Sequence, residues 1–299
     1  MLKQIRRLFS KLNTTKIFIK NEEYNAVKLD YTSYACGRCD ETKFPIFLYH
    51  GMMTTKESWS SVVARIAELT NRRIFNLSLR NHGKSTYTTI DGSHISLMAL
   101  DLKHFMNERR VDKGILLGHS LGGRAMMELA FSNPEMVENL VVVDIGFNVP
   151  VKPLNSLYQL CKFLIEFAKK LPPTMCLNEA QKQLRTSLEQ QIKDAVVIDV
   201  VTGILCKNEG KFEYSFNAEI LYESLWKGRV HHLNVNDPFE RQCLFVYGNA
   251  GFVVEDDFIA IKTVFPKAKF YYMNAGHYLM IEQPDHFSSI VSQFINDSQ

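Results

Sequence analysis

With 299 residues, 46% of them hydrophobic and 22% charged, the chain has the make-up of a globular protein large enough to bury a core without disulfides or metals. No apolar run approaches the roughly 18 residues of a membrane-spanning helix, so no transmembrane segment is expected. The net charge of +3 comes from the N-terminus: Lys3, Arg6, Arg7, Lys11, Lys16 and Lys20 stand there without an acid, and removing them leaves about −3, so nucleic acid is not an expected partner.

Residues 1–24 read as a basic leader. Leu2, Ile5, Phe9 and Leu12 fall on one helical face, and Lys3, Arg7 and Lys11 on another. This composition fits a mitochondrial transit peptide, with a solvated basic arm on a cytosolic enzyme as the alternative. Further on, Asn25–Tyr34 alternates as a strand does, and Phe44–Tyr49 is a buried-strand run that ends in His50-Gly51. A helix is expected over Ser58–Thr70, a strand over Arg73–Leu79, and a helix around Ile95, Met98, Leu102 and Phe105. Gly114–Gly118 is a short buried strand, Leu121–Phe131 a helix and Val137–Ile145 a central strand.

The alternation then stops. Leu157, Leu160, Leu164 and Leu171 form a helical stripe closed by Pro172-Pro173, and further helices are expected over Asn178–Gln190, Ile192–Leu205 and Asn217–Leu225. The strand–helix rhythm resumes at Cys243–Tyr247, with a helix near Asp256–Val264, a strand at Lys269–Met273 and a helix around Pro284–Ile295. The fold class is therefore α/β, a mostly parallel central sheet with helices on both faces. The core comprises residues 25–147 and 241–299, and residues 148–240 form a helical cap insertion.

The six cysteines, Cys36, Cys39, Cys161, Cys176, Cys206 and Cys243, are scattered, and reduced thiols are expected. Cys36-Gly37-Arg38-Cys39 has the spacing of half a zinc site, but no second pair follows and His231-His232 is a poor complement. Neither a metal nor another cofactor is expected.

Gly118-His119-Ser120-Leu121-Gly122-Gly123 lies between a buried strand and a helix. A serine at such a turn is strained and pushed into the open, and small residues two before and two after it avoid collision across the turn. Ser120 is thus the candidate nucleophile. It needs a base, and His277, after the last strand and before the last helix, is the histidine so placed. The amide of Leu121 and that of Met52, after His50-Gly51, are the candidate oxyanion donors. The base in turn needs a carboxylate. Tyr247–Phe252, the segment where one is usual, contains no acid. Glu255, Asp256 and Asp257 follow at what reads as a helix start, where the helix dipole alone explains them. Asp144, at the end of Val141-Val142-Val143, is costly to bury unless paired, and a histidine is its obvious partner. Asp144 is therefore favoured, and Asp256 and Glu255 remain the alternatives.

The His-Gly turn, Arg80-Asn81-His82-Gly83-Lys84-Ser85, Gly118–Gly123, the Val-Asp-Ile strand end and Ala275-Gly276-His277 occur in a familiar order and spacing. Together they resemble the abhydrolase domain-containing protein 11 group of α/β-hydrolases, with its related bacterial short-chain esterases and fungal mitochondrial alcohol acetyltransferases. The resemblance spans about Ala26 to the C-terminus. It implies an α/β-hydrolase fold, a mitochondrial location and activity on short acyl or lipid esters, and it supports Asp144 as the acid. The Arg80–Ser85 stretch is expected to be a structural loop beside the nucleophile. The chain departs from the group at Met52-Met53-Thr54-Thr55, where a Phe-Gly-Ser-like run is usual, and at Ser78-Leu79, where an aspartate often stands.

Three functions follow from this reading. The first is hydrolysis of a small acyl or lipid ester through Ser120, His277 and Asp144. The second is acyl transfer or thioester cleavage through the same acyl-enzyme. The third is a mitochondrial partner-binding role in which the insertion is the docking surface and hydrolysis is secondary.

Overall fold

A computed structural model describes residues 16–19, 22–35, 37, 39–89, 93–148, 151–227, 233–250 and 252–298. The amphipathic pattern of residues 1–15, Cys36 and the pair His231-His232 lie outside the described residues. The end of the expected leader is not helical: β1 (Lys16–Ile19) pairs antiparallel with β2 (Glu22–Asn25).

The described residues form a seven-stranded sheet from β3 (Tyr31–Tyr34), β4 (Ile46–Tyr49), β5 (Ile74–Leu77), β6 (Gly114–His119), β7 (Val137–Val143), β10 (Cys243–Tyr247) and β11 (Ala268–Tyr272). Its order is β11-β10-β7-β6-β4-β5-β3, parallel throughout except for β3, which runs antiparallel to β5 at one edge. Side chains alternate between faces along each strand. Phe47, Tyr49, Leu116, Leu140, Val142 and Phe245 enter one core, and Ile46, Leu48, Leu117, Val141, Val143 and Val246 enter the other. Burial on both faces explains why these strands read as continuous apolar runs.

The first core is covered by α2 (Ile95–Glu108), α3 (Leu121–Ser132) and α8 (Glu255–Val264), and the second by α1 (Val63–Thr70) and α10 (Pro284–Asp297). A short helix, α9 (Leu279–Glu282), precedes α10.

Between β7 and β10 the chain forms α4 (Val151–Lys170), α5 (Leu177–Glu189), α6 (Ala195–Gly203) and α7 (Ala218–Trp226). The helix expected over Ile192–Leu205 ends at Gly203, and Leu205 instead begins a hairpin of β8 (Leu205–Asn208) and β9 (Lys211–Tyr214). Glu209 and Gly210 turn it with φ of +48° and +81°, the paired positive values that a tight hairpin needs. Of the strand expected over Asn25–Tyr34, Asn25 ends β2, residues 26–30 are not strand, and Tyr31–Tyr34 forms β3.

Helix α3 fastens both ends of this insertion. Arg124 Nη1 donates to the carbonyls of Gly146 and Phe147 at 3.1 and 3.0 Å. One turn later the Glu128 carboxylate accepts from the Asn234 N–H (2.8 Å), Asn234 Nδ2 (2.6 Å) and Ser96 Oγ (2.6 Å). The Arg80–Ser85 loop is a second joint. Gly83 N–H donates to the Ser215 carbonyl (2.7 Å), Asn217 N–H donates to the Asn81 carbonyl (2.9 Å), and His82 stacks on Phe216. Arg80 is anchored beneath by a fully buried pairing with Asp101, Nε to Oδ2 at 2.7 Å and Nη2 to Oδ1 at 2.6 Å.

Candidate active site at the carboxyl ends of the strands

Register brings the sequence-selected residues to one end of the sheet. Tyr49 pairs with Gly118, His119 with Val143, and Val143 with Val246. Each next residue therefore leaves a strand at the same rim: His50, Ser120, Asp144 and, from β10, Gly248. This carboxyl-end rim is where open α/β sheets bind ligands.

Ser120 links β6 to α3 with φ +51° and ψ −117°, a conformation costly for a residue with a side chain. Packing leaves no alternative. A Cβ on Gly118 would lie 2.5 Å from the Gly122 carbonyl, and one on Gly122 would lie 2.5 Å from the carbonyl oxygens of Tyr49 and His50. Both clashes are with backbone, so the small residues flanking the serine are sterically required. Ser120 N–H continues the ladder by donating to the Val143 carbonyl at 2.9 Å, which fixes it beside Asp144.

Asp144 also has a positive φ, +47°. Its carboxylate is buried, and Oδ2 accepts from His277 Nδ1 at 2.7 Å, a contact 133 residues apart in sequence. Oδ1 accepts from the Gly248 N–H at 2.8 Å. The segment that lacks the usual acid thus supplies a backbone donor for the acid that comes from β7. It also supplies Phe252, whose ring lies 4.3 Å from that of His277.

Of the alternative acids, Glu255 and Asp256 open α8. Asp257 is buried, and its Oδ1 accepts from the Asn148 N–H at 3.0 Å.

His119, the residue before Ser120, lies against His277. Its Nε2 donates to the His277 carbonyl at 2.8 Å, and the two rings are 4.5 Å apart. Burial, with His277 close by, holds His119 well below the ordinary histidine pKa, so it stays neutral.

The loop after β4 packs directly on this turn. A Cβ on Gly51 would meet His119 Nδ1 at 2.7 Å and Ser120 Cβ at 3.2 Å. Met52, the next residue, makes no hydrogen bond through its N–H among the described residues. Leu121 N–H is the first amide of α3, one of those that have no partner within a helix. Both amides border the Ser120 turn.

Sequence reasoning did not find the roles of His119, Gly248 or Phe252. The missing acid in Tyr247–Phe252 was the one available signal that this segment serves the site in another way.

Comparison with known proteins agrees with this fold. A model described as "Alpha/beta hydrolase family" matches residues 46–287. The chain is 28% identical over 261 residues to "sn-1-specific diacylglycerol lipase ABHD11" of Danio rerio, covering 86% of this chain and 79% of that protein. It is 24% identical over 288 residues to "Probable alcohol acetyltransferase" of Saccharomyces cerevisiae, covering 91% and 82%. Among solved structures, "Marine microorganism esterase" shares the fold with a TM-score of 0.77 at 21% identity, covering 90% of this chain and 100% of that one. The chain belongs to the alpha/beta hydrolase family.

Proposed function

We propose that the chain is a serine hydrolase of carboxylic esters that works through a Ser120–His277–Asp144 triad. The observation that carries this reading is the His277–Asp144 hydrogen bond at 2.7 Å, formed on the rim that presents the strained Ser120. Ser120 Oγ attacks the acyl carbon while His277 Nε2 takes its proton. Asp144 accepts from Nδ1, which leaves Nε2 unprotonated in the resting state and stabilises the imidazolium that forms. The Met52 and Leu121 amides receive the oxyanion. The tetrahedral intermediate collapses, His277 returns the proton to the leaving alcohol, and Ser120 is left acylated. Water, deprotonated by His277, then attacks the acyl carbon and releases the acid and Ser120.

The names of the relatives favour a lipid or short-chain ester as substrate. The similarity to alcohol acetyltransferases supports a second reading, in which an alcohol replaces water in the second half-reaction. A fluorophosphonate probe tests the shared acyl-enzyme step: wild type labels and Ser120→Ala does not. A folded wild type that stays unlabelled sinks the proposal. Product analysis with added ethanol then separates hydrolysis from transfer. The mitochondrial location rests on the basic leader, and imaging the chain fused at its C-terminus to a fluorescent protein, with and without residues 1–24, tests it.

A further inference from the structure

The loop that carries Met52 contains no glycine after Gly51, and Met53 adopts φ +57° within it. A left-handed methionine persists only where its surroundings over-determine it. Met53 is buried, and so are His50 and Thr54 beside it. His50 Nε2 accepts from the Leu79 N–H at 2.9 Å. That nitrogen therefore carries no proton, and the neutral ring holds its proton on Nδ1. Nδ1 donates to the Gly51 carbonyl at 2.7 Å, and Thr54 Oγ1 donates to the same oxygen at 2.9 Å. Burial keeps His50 far below the ordinary histidine pKa, so this tautomer persists at neutral pH. The His82 ring, with its centroid 5.1 Å away and itself stacked on Phe216, packs against His50.

A trans peptide is planar, with its C=O and N–H opposed, and no cis bond occurs among the described residues. Two donors holding the Gly51 carbonyl on one side therefore fix the Met52 N–H on the other. We propose that His50 and Thr54 are positioning residues that clamp the Gly51–Met52 peptide so that the Met52 amide is preset for the oxyanion. The proposal rests on the acyl-enzyme reading above and assigns side-chain roles within its oxyanion site.

Substitution at Thr54 tests it. Thr54→Val keeps shape and removes one donor, and Thr54→Ser keeps the donor. Losing an oxyanion donor outright costs about 10²–10³ in kcat, and a loosened one costs less. Thr54→Val is expected to lower kcat roughly 10-fold with KM within about 2-fold, and Thr54→Ser to restore it. Affinity for an alkyl trifluoromethyl ketone, whose serine adduct carries the oxyanion, is expected to fall by the same factor as kcat/KM. His50→Asn places an amide donor near the Nδ1 position and is expected to outperform His50→Leu in kcat when both are folded. Wild type that neither labels with fluorophosphonate nor cleaves esters removes the acyl-enzyme reading, and the clamp with it. An active wild type with unchanged kcat and ketone affinity in Thr54→Val overturns the clamp alone.

Discussion

Asp144→Asn is the most discriminating perturbation. The carboxylate holds two donors at once, Gly248 N–H on Oδ1 at 2.8 Å and His277 Nδ1 on Oδ2 at 2.7 Å. An amide has one acceptor oxygen. If that oxygen stays with the Gly248 N–H, the Asn NH2 faces His277 Nδ1, which must then accept. The ring's proton moves to Nε2, and Ser120 meets a donor where it needs a base. In Ser-His-Asp triads generally, this tautomer error lowers kcat by about 10⁴, or ~5.5 kcal/mol of barrier. The Asp144 side chain is fully buried and out of contact with solvent, so KM should move little. Steady-state cleavage of p-nitrophenyl esters, with circular dichroism as the folding check, measures both parameters. Asp256→Asn is the comparison and should stay within about 2-fold of wild type. A folded Asp144→Asn within ~10-fold of wild type, or a collapse in Asp256→Asn instead, refutes the assignment.

Three further outcomes follow from packing and charge. Gly122→Ala drives a Cβ to 2.5 Å from two backbone carbonyls and should cost at least about 3 kcal/mol in urea unfolding. Gly203→Ala meets nothing within 4 Å and should be neutral or slightly stabilising, so equal losses in the two variants would contradict the steric argument. Arg80→Met strands the buried Asp101 carboxylate and should destabilise by about 3–5 kcal/mol, with the double substitution Arg80→Met, Asp101→Leu recovering most of it. A double variant no better than the single one would mean that the pair does more than neutralise itself. Finally, burial lowers His82 from 6.5 to about 4. Because the folded value lies below the unfolded one, the stability tied to neutral His82 is complete above pH ~6.5 and is lost as pH falls towards 4. Between pH 7 and 4.5 this amounts to about 2 kcal/mol, with His50 and His119 acting in the same direction. Unfolding free energies that differ by less than about 1 kcal/mol across that range would rule it out.

Elements governed by periodicity were legible in the sequence; most contacts between distant segments, the Asp144–His277 pairing apart, were not. Val141–Val143 and Phe245–Val246 announce buried parallel strands because both faces are covered. The β8–β9 hairpin escaped notice because Ile192–Leu205 carries an apolar run that a helix explains equally well. The contrary signal was Asn208-Glu209-Gly210 followed by alternating Lys211-Phe212-Glu213-Tyr214. Asp101 sits in a helix and reads as a surface acid, yet it is fully buried because Arg80 reaches it from another loop. At the site, the strand–turn–helix motif selected Ser120, the position after the last strand selected His277, and the cost of burying an unpaired carboxylate selected Asp144. The direction of the His119 and His50 rings depends on turn backbone that no local pattern encodes.

The position of Asp144 has a consequence for how the insertion attaches. An acid placed after β10 would follow the insertion, whereas Asp144 precedes it by only a few residues. Movement of the inserted helices would therefore pull directly on the carboxylate. The structure isolates it in two steps. Arg124 grips the carbonyls of Gly146 and Phe147, and Gly146 N–H donates to the Phe252 carbonyl at 3.1 Å. Asp257 then fills the space over Gly146, where a Cβ would come within 1.8 Å of its Oδ2. The strand end is thereby bound to α3, to the post-β10 segment and to α8 before the chain enters α4. Arg124 belongs to the same helix that Ser120 opens, so the proposed nucleophile and the proposed acid share one support. A shift of the inserted helices then leaves the distance between Ser120 and Asp144 undisturbed.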